Sequence, residues 1–148
     1  MAFTTVTGDL FELGLPAVGH GCNCAGAMGA GIAVEFRRRF PGMYQEYRRR
    51  CRRGGFQLGD VFVWDREPDL VVYNLGTQPV PGPSASLAAI DTAVRAALVD
   101  AERRGVARLG VPRIGAGLGG LAWPEVAEVL RCSGEASAVE LVAVSLPA

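Results

Sequence analysis

Along this chain apolar positions recur in two alternating rhythms. Short apolar runs bounded by glycine, proline or polar residues predict strands at residues 4–6, 17–22, 60–64, 70–75, 108–114 and 139–146. Stretches of helical period lie between them. In the first, Ile32, Phe36 and Phe40 fall at i, i+4 and i+8, one apolar stripe with Arg37, Arg38 and Arg39 outside it, before Pro41 and Gly42 break it. A second aligns Tyr44, Tyr47 and Cys51 and stops at Gly54 and Gly55. The third is the most regular. Ser86 can cap it, Leu87, Ile90, Val94, Ala97 and Ala101 form its buried stripe, and Gly105 ends it. A fourth is expected after Gly120, with Pro124 suited to its first turn. Pro79, Pro81, Gly82 and Pro83 can continue neither a helix nor a ladder, so they predict a loop at a strand's end, where it is expected to act as a mobile lid. Strands alternating with helices, and no repeat or linker, predict one α/β domain over residues 1–148.

Composition narrows the function classes. No apolar run reaches the roughly 18 residues that span a bilayer, and the N-terminus has neither a basic start nor a long apolar stretch. A soluble, cytoplasmic, monomeric protein is expected. Fifteen basic residues balance fifteen acidic ones, which gives no general electrostatic reason to bind nucleic acid or membrane. The arginine runs at residues 37–39 and 48–53 would make a nucleic-acid patch if they shared a face; as runs on helices they are read as solvated. Every basic residue is arginine, so any mechanism needing a lysine amine is excluded. Four scattered cysteines do not suggest a disulfide framework. His20, Cys22 and Cys24 alternate and could begin a metal site, but no fourth ligand stands at a recognisable spacing. They are read as small buried residues on a packed strand, with no metal or cofactor expected. His20, the one histidine, could act as an acid or base but is expected inside the sheet.

Two glycine-rich runs carry the candidate chemistry. Gly26, Gly29 and Gly31 follow the second strand, and Gly115, Gly117, Gly119 and Gly120 follow the fifth; each run leads into a helix. Backbone N–H groups with no helical partner converge at such places and suit an anion. Either run alone could be no more than a tight turn. Together they suggest a diphosphate held from both sides. Gly115, Gly117 and Gly120 also have the spacing of a dinucleotide-binding fingerprint, yet the 28 residues after Gly120 leave no room for the rest of that fold. A phosphate loop of the lysine-bearing type is excluded by composition.

GDL at residues 8–10, GHGCNCAGAMGAGI at 19–32 and VPRIGAGL at 111–118 resemble the macrodomain family in content, order and spacing. The likeness covers nearly the full length and is nearest the branch that holds the terminal ADP-ribose protein glycohydrolase, the DNA-ADP-ribose antitoxins and the yeast-type ADP-ribose 1''-phosphatase. It implies a three-layer α/β fold, a mixed central sheet flanked by helices, with ADP-ribose in a cleft over the strand ends. Asp9 would then accept from the adenine amino group, with Leu10 lining the same end. Cys22, Gly29, Ala30, Gly31 and Ile32 would hold the diphosphate and distal ribose from one side. Thr77, Ile114, Gly115, Ala116, Gly117, Leu118 and Gly119 would close from the other. Asn23 would sit beside the distal ribose, though a local backbone hydrogen bond is the alternative for its amide.

The same resemblance implies a lysine shortly after the fourth strand and an aspartate in the second glycine loop. Those places fall here at Thr77 or Gln78 and at Gly119. The adenine-side aromatic sometimes found near the C-terminus is also missing, with Val144 close to its place. A Schiff-base route is therefore closed. Attack by a positioned water remains, with loop N–H groups supplying electrostatic stabilisation and Asn23 and Gln78 as candidate catalytic residues that orient water or sugar. The expected activity is hydrolysis of mono-ADP-ribose from acidic residues of modified proteins, with an ADP-ribosylated protein as partner and nucleic acid disfavoured. A non-catalytic ADP-ribose reader and a 1''-phosphatase are the alternatives.

Overall fold

The buried run Val72–Thr77 belongs to the strand next to one edge of a six-stranded sheet. The computed structural model describes residues 2–147. In chain order it contains β1 (Phe3–Thr7), β2 (Ala17–Asn23), α1 (Ile32–Arg39), α2 (Pro41–Arg52), β3 (Val61–Glu67), β4 (Leu70–Gln78), α3 (Leu87–Arg103), β5 (Arg108–Val111), α4 (Trp123–Glu135) and β6 (Glu140–Ser145), with a 3-10 turn at Gly117–Gly119. The sheet order is β1-β6-β5-β2-β4-β3. All pairs are parallel except β3 with β4, so the sheet is mixed. Parallel strands need both faces covered, and alternation along each strand supplies two cores. Tyr73, Leu75, Leu109, Val111 and Leu141 pack with Ile90, Val94, Ala97, Val126 and Leu130 of α3 and α4. Val18, Val72, Val142 and Val144 pack with Phe36, Met43 and Tyr47 of α1 and α2. Three layers result. Among the described residues no helix is long and apolar enough to cross a membrane.

Where element ends differ from expectation, the cause is visible. β4 continues past Leu75 to Gln78, because a register shift between Cys22 and Asn23 carries its pairing on to Asn23 opposite Gln78. β5 stops at Val111 and not at Ile114, since Pro112 has no N–H for the ladder. β3 starts after Asp60, whose carboxylate accepts from the Gln57 amide at 2.8 Å in a turn. Ile32 is more than one-third exposed while Phe36 is fully buried, so the α1 stripe does not begin at its first residue. In α2 the buried pair is Met43 and Tyr47; Tyr44 and Cys51 are half-buried. Pro41 does not only end α1: it occupies the first turn of α2, one residue later. Ser86 caps α3 as expected, accepting from the Ala89 amide at 3.2 Å.

His20 is buried on the α1 side of β2, its ring stacked on Phe36 at 3.7 Å between centroids. Its Nε2 donates to Asn74 Oδ1 at 2.8 Å, and the Asn74 amide donates on to Phe62 O. Burial disfavours the charged ring more than the Asn74 bond favours it, and lowers the pKa from 6.5 to about 4. The unfolded chain therefore takes up this proton first. Stability is complete above about 6.5 and is lost as pH falls from there toward about 4. As the sole histidine, His20 should make the protein about 1 kcal/mol less stable at pH 5.5 than at pH 7. Urea unfolding at the two pH values measures this, and a His20→Gln variant should lose the slope.

Candidate ligand cleft

β2 and β5 are parallel neighbours, so the two glycine-rich loops leave the same edge of the sheet. After β2 the chain turns to the α1 layer; after β5 it turns to the α4 layer. The strands diverge at a switch point, where α/β sheets leave a crevice. That crevice is a cavity of about 360 Å³.

The first loop is shaped from below by Asn23. Its Oδ1 accepts from the amides of Ala25 at 3.0 Å and Ala27 at 3.2 Å, and its Nδ2 donates to Ala27 O at 2.8 Å. The Tyr47 hydroxyl donates to Asn23 O at 2.6 Å and lies 3.0 Å from Oδ1. Cys24 N donates to Gln78 O at 2.9 Å, tying the loop to β4. Gly31, at φ 61°, turns the chain into α1 and offers no side chain to cap it; Val34 N donates to Gly31 O at 3.2 Å, and the amides of Ile32 and Ala33 ahead of it meet no capping side chain.

The second loop turns through Gly115 and Gly120 at positive φ. A Cβ on Gly31 would come within 3.1 Å of Leu118 Cδ1, so the loops touch across the crevice. Residues 79–83 form a strap behind it. Gln78 Nε2 donates to Val80 O at 2.8 Å and Gly82 O at 2.9 Å, while Ala85 N donates to Gly119 O at 3.1 Å. Pro83 leaves no space for a side chain at position 120.

Of the residues expected from sequence, Cys22, Asn23, Gly29, Ala30, Gly31, Ile32, Thr77, Gln78, Ile114, Gly115, Ala116, Leu118 and Gly119 line the cavity together. Asp9, Leu10 and Gly117 are outside its wall. Asp9 Oδ1 accepts from the Phe11 amide at 2.8 Å, and Leu10 is buried in the α1-side core. Thr77 is almost wholly buried, leaving Gln78 as the more exposed of the two residues at the lysine's place. Met28, Pro81, Gly82 and Arg113 also contribute to the wall. Sequence reasoning did not single them out for the site, nor Tyr47, which supports it from beneath. Met28 lay within the GHGCNCAGAMGAGI motif, Arg113 within VPRIGAGL, and Pro81 and Gly82 within the proline-rich loop, so position offered a signal for all four.

Among the lining residues Arg113 alone carries a full charge. The Cys22 thiol lies 3.4 Å from His20 Nε2. Burial pushes the thiol up and the imidazole down, so both are neutral and do not make a thiolate–imidazolium nucleophile. Burial likewise pushes Cys24 up to about 11. What the cleft offers is main-chain amides, two carboxamides and one guanidinium.

The Macro domain family matches residues 20–130, three-quarters of the chain. This chain belongs to the macrodomain family. Its fold superimposes on the macrodomain of Mycobacterium tuberculosis DarG with a TM-score of 0.86 at 31% identity, covering 99% of this chain and 98% of that one. It is also 34% identical over 124 residues to a DNA ADP-ribosyl glycohydrolase of Thermus aquaticus, a match over 82% of this macrodomain but only 34% of the relative. An ADP-ribose 1''-phosphate phosphatase of Candida albicans is 29% identical over 140 residues, which are 85% of this macrodomain and 90% of that protein.

Asn23→Ala would strip the acceptor from two loop amides, while the Tyr47 hydroxyl would keep its bond to the main-chain O of residue 23. The substitution should cost about 2 kcal/mol in urea unfolding, and Tyr47→Phe about 1 kcal/mol. Equal stability of all three proteins would mean that the loop holds its shape without this network.

Proposed function

We propose that this macrodomain binds ADP-ribose in the cleft and hydrolyses the ester that joins it to an acidic side chain of a modified protein. One observation carries the reading: two glycine-rich loops, in contact through Leu118 and Gly31, enclose a crevice lined by uncapped helix-start amides. Such amides favour a diphosphate from both flanks. The family and the names of its relatives support ADP-ribose as the guest.

The reaction needs no covalent intermediate on the protein. A water oxygen attacks the anomeric carbon of the distal ribose, the bond to the ester oxygen breaks, and the carboxylate leaves with the electron pair. The water's proton passes to solvent or to the ligand's own phosphate. A carboxylate is a good enough leaving group to depart without a strong acid. Gln78 Nε2 is occupied by the strap, which leaves Oε1 to accept from water or a sugar hydroxyl. Asn23 keeps one amide N–H, which can donate to a water or a sugar oxygen. The backbone dipoles would stabilise developing charge without reorganisation.

ADP-ribosylated DNA is the second reading. The names of the bacterial relatives favour it and weaken the sequence-based case against nucleic acid. On the outer face of α1 and α2 the guanidinium groups of Arg37 and Arg48 flank the Tyr44 ring at 5.5 and 5.6 Å. Against it stands the missing lysine and aspartate that the likeness to the glycohydrolase branch implies.

Incubation with a glutamate-ADP-ribosylated protein should release free ADP-ribose, and Asn23→Ala with Gln78→Ala should slow release at least about tenfold. An unchanged rate in the double variant with binding intact removes those two roles. Release from an ADP-ribosylated oligonucleotide alone selects the second reading, loss of phosphate from the 1''-phosphate alone selects a phosphatase, and binding without release selects a reader. Amide exchange at Val80 and Gly82, the two residues of the strap that carry an N–H, should slow on adding ADP-ribose as the strap closes over the distal ribose.

A further inference from the structure

Beside the main cleft lies a second hollow of about 260 Å³, bounded by Thr5, Val6, Thr7, Ser145, Trp123 and Arg113. Arg113 belongs to the wall of both. The hollow opens where β1 and β6 end. Thr7 is the register partner of Ser145, and Gly8 N donates to Ser145 O at 2.8 Å. Asp9, assigned to the adenine end of the ligand, is the next residue.

The chemistry of this hollow suits an oxyanion. The Arg113 guanidinium lies 4.9 Å over the Trp123 ring, and its Nε donates to Ser145 Oγ at 2.9 Å. Those two contacts hold the plane of the group. No carboxylate among the described residues forms an ion pair with it, so its terminal N–H groups remain for a ligand. Thr5 and Thr7 stand two apart on one strand and present their side chains on the same side. A fixed guanidinium fork with hydroxyl groups beside it matches phosphate better than any apolar guest.

The geometry points to a subsite for a phosphate carried on the adenosine ribose of the bound ADP-ribose. This rests on the reading of the main cleft as an ADP-ribose site with adenine toward Asp9. Two ligands share that chemistry: ADP-ribose phosphorylated on the adenosine 2'-oxygen, and a short ADP-ribose chain whose next ribosyl-diphosphate extends from the same oxygen. The acceptor leaves at the opposite, distal-ribose end, so an extension here does not obstruct hydrolysis.

Calorimetry with the intact protein tests the subsite, using ADP-ribose, ADP-ribose 2'-phosphate and a 2'-to-1''-linked ADP-ribose dimer. At least one extended ligand should bind about tenfold more tightly than ADP-ribose, and the margin should shrink as salt rises. A margin for the 2'-phosphate alone identifies a monoester as the ligand, and a margin for the dimer alone identifies a chain. The ratio should fall to near one in Arg113→Gln and be reduced in Thr7→Val, a change confined to the second hollow. Equal affinity for all three ligands, or a ratio that survives both substitutions, overturns the subsite while leaving the main cleft intact. Failure of ADP-ribose itself to bind removes the cleft reading and the subsite together.

Discussion

The form of the cleft depends on the Asn23 carboxamide, because a loop of small residues has few side chains with which to hold itself. With both its oxygen and its nitrogen turned back on the loop, Asn23 folds residues 24–27 around itself, and the Tyr47 hydroxyl clamps the arrangement to α2. Cys24 N extends the clamp to β4. The amides at the start of α1 are therefore aimed before any ligand arrives. Pre-organisation of this kind removes an ordering cost that a flexible glycine loop would otherwise meet on binding.

The second wall uses a different device. Gln78 gathers the strap by two carbonyls, the strap reaches Gly119 through Ala85, and Pro83 seats against Gly120. A side chain at position 120 would collide with proline and would have to adopt a positive φ as well. Asn23 and Gln78 are thus register partners at the ends of β2 and β4, each shaping one side of the crevice. Their carboxamides serve structure first, and only the atoms left over face a ligand.

Much of this was legible in the chain. The helical stripes and the strand runs gave the layers, and glycine runs after two strands marked the crevice, because only residues without side chains allow those turns and that approach. What could not be read depends on partners distant in sequence. Tyr47 shows as a stripe residue on a helix, and nothing local says that its hydroxyl reaches a loop 24 residues earlier. The length of β4 depends on a register shift in its neighbour, and the burial of Thr77 with the greater exposure of Gln78 follows from that length. Arg113 was visible inside a motif, but its place between two hollows requires Trp123 and Ser145 to be folded against it.

The scarcity of proton donors about the cleft bears on which acceptor the proposed hydrolysis could release. His20 and Cys22 are held uncharged by burial, no lysine exists, and the aspartate's place is a glycine. The site therefore has few means of donating a proton to a departing group. A carboxylate, with a conjugate acid near pKa ~4, departs as a weak base and needs no such donor. A link to a nucleobase nitrogen leaves a stronger base behind, which calls for protonation or for a nucleophile that drives the ring open. Backbone amides can stabilise a diphosphate and a developing oxyanion but cannot supply that proton. Under the proposed hydrolysis, a lysine-free cleft would suit an ester better than a modified base, and that chemistry is the ground on which the proposal departs from the DNA-directed name of a relative with the same fold.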